Sequence, residues 1–326
     1  MERHSNGQAI VVDADEPLAH FAEELPAAEP LQDTALRRHV DYRGYRELLE
    51  SWSQLKNARP QIIGRSRGGE PLWMIEIGNP DAKKVSAVLA GIHPIEWIGV
   101  ESAFQIAQAH DLNPSDDRRV CFFPLVNPDG FRKVEDNLRN NRRRWVRCND
   151  AGVDLNRNWP THFKRSRGLF KGANSSGPAP LSEPEVRAVT EALDHIDTEA
   201  DIDIALSLHS IGNMILMPWG GVWRAPKAIG KHRRVARAIR RRLGDYTIRQ
   251  VSHWIPGVSF AHGMEIDHLH HRYGATAILI ECTRGELSLR KPSVLTEPFR
   301  IFNPAEGRRG AAHIAQALDP FVRGRL

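Results

Sequence analysis

Two histidines and two glutamates are the side chains of this sequence best suited to metal chemistry. His93 and Glu96 stand three residues apart, and His209 and Glu281 each end a separate apolar run. Two histidines and one glutamate are a common ligand set of catalytic zinc, because they leave one coordination position open for water. Taken alone, the His93–Glu96 pair is weak evidence for a metal site, since such pairs arise by chance. His209, taken alone, could equally be a histidine of the core. The combination predicts a metal site only if the fold gathers these residues.

Short apolar runs predict the strands that would position these side chains. Four such runs lie at residues 85–92, 120–126, 202–208 and 275–280, and three of them end at His93, His209 and Glu281. Apolar runs without alternation are typical of strands buried on both faces. Stretches with helical spacing separate them, which predicts an α/β sheet covered by helices. Ligands of such sheets bind beyond the carboxyl ends of the strands, so the pattern predicts one site there.

The amino-terminal part of the chain has a different composition. Residues 1–36 are rich in Ala, Glu, Asp and Pro with weak periodicity, which predicts a partly ordered extension before a domain over residues 37–326. Residues 41–55 carry apolar side chains at helical spacing. The segment that follows predicts two strands around a turn at Arg67–Gly69.

The overall composition indicates a globular protein without a dedicated nucleic-acid or membrane surface. The chain has 326 residues, a net charge of +5 and three cysteines. The basic run from Lys231 to Arg242 has a helical apolar stripe, and we interpret it as a solvated surface helix rather than a nucleic-acid or membrane patch. No signal peptide or membrane span is evident in the sequence, so we expect a cytoplasmic protein.

Several motifs in a fixed order resemble the M14 family of zinc carboxypeptidases. They are AGIHPIEWIG, VNPDGF, GVDLNRNW, PLSEPEV, LSLHS and ILIECTRG, between about Tyr45 and Glu281. This resemblance implies a mixed, largely parallel twisted β-sheet with helices on both faces, in a single domain. It also implies one Zn²⁺ per chain, held by His93, Glu96 and His209.

The resemblance further implies catalytic and substrate-binding roles. Glu281 corresponds to the general base that deprotonates the attacking water. Asn156 and Arg157 correspond to the clamp on the terminal carboxylate of the substrate, and a guanidinium fork suits a carboxylate. Arg139 corresponds to the arginine that stabilises the developing oxyanion, with Arg142 as the second choice. The other arginines of this stretch, 142–144 and 147, are expected to be surface charge.

Two positions depart from the family pattern. Ile95 replaces an arginine that contacts the upstream part of the substrate, and Ser259 replaces a tyrosine of a mobile loop. Ser259, Ile266 and Leu279 are predicted to contact the substrate. By the same correspondence, the specificity pocket would be lined by Leu216, Trp254, Val258, Ala261, Met264, Ile266 and Leu279, with Gly220 at its side. Each could equally be a core residue, and a pocket of this composition favours an apolar C-terminal residue.

Three functions fit this sequence. The first is a metallocarboxypeptidase that removes the C-terminal residue of a peptide, and its apolar pocket favours apolar residues. The second is a zinc amidase acting on cell-wall peptides or N-acyl amino acids, for which Ile95 and Ser259 leave room. In both cases the expected partner is a substrate with a free carboxylate. The third is a non-catalytic protein that binds C-terminal tails, which the presence of Glu281 disfavours.

Overall fold

The computed structural model describes residues 44–166, 175–254, 261–284, 298–303 and 307–325. The predicted extension over residues 1–36 and the predicted substrate contact Ser259 lie outside these ranges. The described residues all belong to one compact unit. Among their helices, none is both long enough and apolar enough to span a bilayer.

One mixed sheet of eight strands forms the centre of the described structure. The strands are β1 (Arg59–Arg65), β2 (Pro71–Gly78), β3 (Lys84–Ala90), β4 (Arg119–Phe123), β5 (Asp201–His209), β6 (Met214–Met217), β7 (Thr247–Gln250) and β8 (Thr276–Glu281). Their order in the sheet is β1-β2-β4-β3-β5-β8-β6-β7. The central pairs β4–β3, β3–β5 and β5–β8 are parallel, and so is β6–β7. The other three pairs are antiparallel, so the predicted mixed, largely parallel sheet is confirmed.

Helices cover both faces of this sheet. They are α1 (Tyr45–Ser53), α2 (Trp97–Leu112), α3 (Pro128–Arg139), α4 (Pro184–Glu199), α5 (Ile229–Leu243), α6 (Glu265–Tyr273), α7 (Pro298–Phe302) and α8 (Arg308–Val322). Side chains of α1, α2, α5 and α8 share one buried apolar cluster, and those of α4 and α6 share the other.

The alternation of side chains along β3 explains why its sequence is continuously apolar. Val88 and Ala90 belong to the cluster beneath α2 and α8, whereas Ala87 and Leu89 belong to the cluster beneath α4. Neighbouring residues of a strand point to opposite faces, so a strand covered on both faces needs apolar residues at every position. The predicted strand at residues 85–92 is therefore confirmed, with its end at Ala90.

The three strands that precede the candidate residues are neighbours in the sheet. β3, β5 and β8 lie side by side and run parallel, so their carboxyl ends meet at the same edge. His209 and Glu281 end their strands directly opposite each other in the register. This edge is where the sequence predicts a site.

Candidate metal centre

The structure brings the side chains of His93, Glu96 and His209 together at this edge. His93 Nδ1 lies 2.9 Å from Glu96 Oε1, and His209 Nδ1 lies 2.9 Å from Glu96 Oε2. One ligand atom from each residue lies within 4.8 Å of the other two. All three residues are buried, with exposed fractions of 4%, 3% and 2%.

A carboxylate stands behind each imidazole. His93 Nε2 lies 3.1 Å from Asp154 Oδ1, and His209 Nε2 lies 3.1 Å from Glu265 Oε1. Because a carboxylate only accepts, each Nε2 is assigned as the donor, which leaves the lone pair of each Nδ1 facing the centre. Carboxylates placed in this way orient metal-bound histidines and increase their basicity.

The donor set fits a divalent cation. The two Nδ1 atoms lie 3.0 Å apart, so two lone pairs would repel unless a proton or a cation lies between them. Burial alone would lower the pKa of His209, but the Glu96 and Glu265 carboxylates raise it to about 10. Burial alone would raise the pKa of Glu96, but the two imidazoles hold it well below its ordinary value. Two imidazole nitrogens and one carboxylate match the ligands of catalytic zinc.

Close backbone approaches hold the His93–Glu96 turn against the sheet. At Gly91 φ is +64°, and an added Cβ would lie 2.6 Å from a side-chain carbon of Leu125. At Gly99, an added Cβ would lie 2.7 Å from the carbonyl oxygen of Leu208. Glycine at both positions lets the turn end sharply and lets α2 approach β5 closely. That approach carries Glu96, just before α2, to His209 at the end of β5.

Asn303 fixes the same turn from the other side. Its Nδ2 donates to the carbonyl oxygen of Ile95 at 2.7 Å, and its Oδ1 accepts the backbone N–H of Ile98 at 3.0 Å. Both bonds are buried, so the carbonyl of Ile95 and the N–H of Ile98, on either side of the ligand Glu96, are paired. Ile95 itself is buried in the core, with 1% exposure.

Glu281 lies beside the three ligands. Its Oε2 atom is buried and has no hydrogen-bond partner among the described residues. Burial and the negative charge of Glu96 raise the pKa of the Glu281 carboxyl. A carboxylate that is buried and unpaired next to a cation site has the properties of a general base, since its affinity for a proton is increased.

Asp154 connects the ligand cluster to the turn that carries Asn156 and Arg157. Its Oδ1 accepts both from His93 and from the backbone N–H of Asn156, the latter at 3.0 Å. This bond caps a short 3-10 turn, Leu155–Arg157. Arg157 Nη1 donates to the carbonyl oxygen of Asn156 at 2.6 Å, and Asn156 Oδ1 accepts the backbone N–H of Glu265 at 3.3 Å. The predicted carboxylate clamp is therefore tied to the predicted metal site.

Arg147 is a charged residue of the site that the sequence interpretation assigned to surface charge, and that assignment was wrong. Its side chain is only 19% exposed, its Nε donates to Asp154 Oδ2 at 2.8 Å, and its Nη1 lies 4.0 Å from Glu96 Oε1. Burial alone would lower its pKa, but Asp154 and Glu96 raise it. The available signal was its position between Val146 and Cys148, which are apolar and buried.

The structure places Arg139 differently from Arg147. Arg139 is the last residue of α3, and its guanidinium pairs with Glu135 one turn earlier, at 2.9 Å from Nε to Oε1. Its side chain is 38% exposed. Arg147 is thus the arginine that the structure brings to the ligand cluster, and the predicted oxyanion role of Arg139 has no support from this geometry.

The predicted pocket residues are divided between the core and the surface. Leu216, Met264, Ile266 and Leu279 are buried in the apolar cluster beneath α4 and α6, and Ala261 packs against it. Trp254 is 46% exposed. Val258, like Ser259, lies outside the described residues. Glu265 is an acidic neighbour of this cluster that sequence reasoning missed; it is fully buried and its Oε2 has no partner among the described residues.

Comparison with known protein families gives one match over most of the chain. The family model described as zinc carboxypeptidase matches residues 48–280. Mast cell carboxypeptidase A of Mus musculus is 28% identical over 227 residues, which are 63% of this chain and 54% of that protein. Carboxypeptidase B of Astacus astacus is 28% identical over 206 residues, 56% of this chain and 65% of that protein. The chain spans about half the length of the first curated relatives it matches.

Solved structures show the same fold. Bovine thrombin-activatable fibrinolysis inhibitor, solved in complex with tick carboxypeptidase inhibitor, superposes with a TM-score of 0.68 at 21% identity, over 88% of this chain and 100% of that chain. Carboxypeptidase A from Helicoverpa armigera superposes with a TM-score of 0.65 at 20% identity, over 85% of this chain and 73% of that chain. At these identities the likeness supports the fold alone.

Proposed function

Since the chain belongs to the zinc carboxypeptidase family, we propose that it is a zinc-dependent carboxypeptidase that hydrolyses the C-terminal bond of a peptide. The observation that carries this proposal is the convergence of three buried donor atoms, from His93, Glu96 and His209, within 4.8 Å of one another. Asp154 and Glu265 stand behind these histidines, and Glu281 lies beside them. One zinc ion per chain would occupy this centre.

The residues of the centre divide the work of hydrolysis. A bound zinc ion would polarise the scissile carbonyl and lower the pKa of the attacking water. Glu281 would take the proton from that water and pass it to the leaving amine, since its carboxyl pKa is raised by burial and by Glu96. Asn156 and Arg157 would hold the terminal carboxylate of the substrate, which makes the enzyme an exopeptidase.

Arg147 is the residue that we assign to stabilisation of the developing oxyanion. Its guanidinium is held by Asp154 and lies 4.0 Å from a ligand carboxylate, so it is a fixed cation at the site. A cation fixed in advance stabilises the charge of a transition state without the cost of reorganisation, and one such group contributes about 3 kcal/mol.

The substrate class that we propose is a peptide with an apolar C-terminal residue. Leu279 lies two residues before Glu281 on β8, so both side chains point to the same face of the sheet. Leu216 lies opposite Leu279 on β6, which extends this apolar surface. Ile95 is buried, so it offers no polar group to the upstream part of a substrate.

A substrate panel read by mass spectrometry tests the proposal. The zinc-loaded protein is incubated with N-acylated dipeptides ending in Leu, Phe, Lys or Glu, with N-acyl amino acids, and with a γ-linked D-amino-acid peptide. We expect release of Leu and Phe, and no release by a Glu281→Gln variant that still contains zinc. Release of Lys in preference to Leu would reject the apolar preference. Turnover of only the last two substrates would identify an amidase, and zinc binding without any turnover would identify a binding protein.

A further inference from the structure

A groove lined by four arginines lies on the protein surface between α5 and β7. We call it the arginine groove and define it by Arg233, Arg237, Arg240 and Arg249. Its volume is about 510 Å³, and Trp254, which is 46% exposed, stands at its side. This volume lies within the range of ordinary small-molecule sites, roughly 300–1,000 Å³.

Helix periodicity brings three of these arginines to one side of α5. His232, Ala236, Ile239 and Leu243 form the buried face of the helix. Arg233, Arg237 and Arg240 come directly after the buried residues His232, Ala236 and Ile239. They therefore line up along the flank next to the buried face. β7 runs beside this flank and contributes Arg249, whose side chain is exposed. The guanidinium groups of two different elements therefore converge on one groove.

Within the part of the chain that the structure describes, these four arginines have no counter-charge. None of their side chains forms a hydrogen bond or ion pair with a described residue, and α5 contains no acidic residue. Other arginines of the protein behave differently, since Arg118 pairs with Asp203 and Arg323 with Asp319. Four like charges around one groove repel one another, and a bound anion would relieve that repulsion.

We propose that the arginine groove binds a small polyphosphate, either an inorganic chain or the phosphate chain of a nucleotide. Guanidinium groups match phosphate oxygens with paired hydrogen bonds. Linked phosphates place several negative charges within one small volume. This arrangement matches four guanidinium groups that converge on one groove. An extended acidic peptide fits less well, because neighbouring side chains point in opposite directions. The exposed Trp254 ring is available to stack on the base of a nucleotide.

The arginine groove is separate from the metal centre. β6 runs antiparallel to β8, and Met214 lies opposite Glu281 at the metal-centre edge of the sheet. Met217, which lines the groove, is three residues further along β6, about 10 Å away. Of the residues that line the groove, only Trp254 was also predicted to line the specificity pocket, so substitutions of the arginines test binding without altering the proposed peptidase site.

Isothermal titration calorimetry with sodium tripolyphosphate, at near-physiological salt, tests this proposal on the zinc-loaded full chain. The groove variant is Arg237→Gln/Arg240→Gln, and the control is Arg234→Gln/Arg241→Gln. The control removes the same charge from the same helix, at exposed positions that do not line the groove. We expect the groove variant to weaken binding by about tenfold or more, and the control by less than about threefold.

The two variants also separate the groove from other contributions to the signal. Neither variant changes a residue of the metal centre. Any heat from the removal of zinc by tripolyphosphate is therefore the same for both variants. Equal weakening by the two variants, or no binding by the wild type, would overturn the proposal. Equally tight binding of a tetraglutamate peptide would overturn the phosphate assignment. Tighter binding of ATP than of tripolyphosphate, lost in Trp254→Ala, would identify a nucleotide, and equal binding would identify the phosphate chain alone.

Discussion

The two histidines of the metal centre are held by carboxylates with different surroundings. Asp154 accepts from His93, from Arg147 and from a backbone N–H, so both of its oxygens are paired. Glu265 accepts from His209 through one oxygen, while its second oxygen is buried without a partner among the described residues. The negative charge of Glu265 is therefore less compensated than that of Asp154, and Glu265 increases the basicity of its histidine partner, His209.

Substitution of Glu265 by glutamine tests this asymmetry. The amide keeps the shape and one acceptor oxygen but removes the negative charge, so we expect zinc affinity to fall by about tenfold. Competition with a chromophoric chelator measures this. Glu76→Gln is the control, because Glu76 is also buried but lies on β2, two strands from β3, and pairs with Arg59 and Arg119. Unchanged zinc affinity in Glu265→Gln would show that the carboxylate has only a packing role.

A pair of lysine substitutions distinguishes Arg147 from Arg139. Arg147→Lys keeps a positive charge next to Asp154 but loses the fixed guanidinium, so we expect kcat to fall by about a hundredfold. Arg139→Lys alters a partly exposed guanidinium that pairs with Glu135 at the end of α3, and it should change kcat by less than about twofold. Steady-state kinetics on the same N-acylated dipeptide compares them. The reverse order of effects would restore the oxyanion role to Arg139.

At the scale of elements, sequence patterns predicted most of what positions the site. The apolar runs identified β3, β5 and β8, because strands covered on both faces leave a strong and local signal. Helix spacing likewise identified α2, α4 and α5. The strand ends predicted that His93, His209 and Glu281 meet at one site, and the family resemblance supplied the separate roles of the residues.

Contacts between distant elements were beyond these patterns. Arg147 and Glu265 lie in segments that meet the ligands only after folding, and the apolar neighbours of each residue do not by themselves separate it from a surface charge. The same holds for Asn303, which joins the chain after α7 to the turn before α2. Burial of charged side chains depends on tertiary partners, so single-sequence patterns assign such residues to the surface by default.

The close packing of α2 on β5 is open to test at Gly99. An alanine Cβ would lie 2.7 Å from the carbonyl oxygen of Leu208, so α2 must move away from β5. We expect Gly99→Ala to destabilise the protein by about 1–3 kcal/mol and to lower zinc affinity, because Glu96 immediately precedes α2. Thermal denaturation and zinc titration measure both.

Gly230→Ala, in the first turn of a different helix, provides the matched control for Gly99→Ala. Gly230 lies in the first turn of α5, and an added Cβ there meets no atom within 4 Å. Since alanine favours helix more than glycine does, this variant should be neutral or more stable by up to about 1 kcal/mol. Equal melting temperatures for the Gly99 and Gly230 variants would show that α2 has room to adjust.

At the scale of the whole molecule, folding gathers a set of charges that a divalent cation would balance. The carboxylates of Glu96, Asp154, Glu265 and Glu281 come together with the guanidinium groups of Arg147 and Arg157. With neutral imidazoles and all four carboxylates ionised, the four negative charges exceed the two positive charges by two, which is the charge of one zinc ion. Buried charges need such compensation, so we expect metal binding to stabilise the folded protein.

The stabilisation by zinc should therefore depend on pH. In the metal-free protein the folded-state pKa of His209 is raised from 6.5 to about 10. The stability from this proton is fully present below about pH 6.5 and is lost as pH rises towards 10. Zinc must displace the same proton, and the Glu281 carboxyl, whose pKa is raised to about 8, loses its proton over the same range. Zinc affinity should therefore rise by at least about tenfold, or 1.4 kcal/mol, per pH unit between pH 7 and 9. We expect the melting-temperature difference between zinc-loaded and chelator-treated protein to grow over this range at constant free zinc. A difference that stays constant with pH would mean that no proton occupies the centre of the metal-free protein, and the charge balance assigned to its four carboxylates would be wrong.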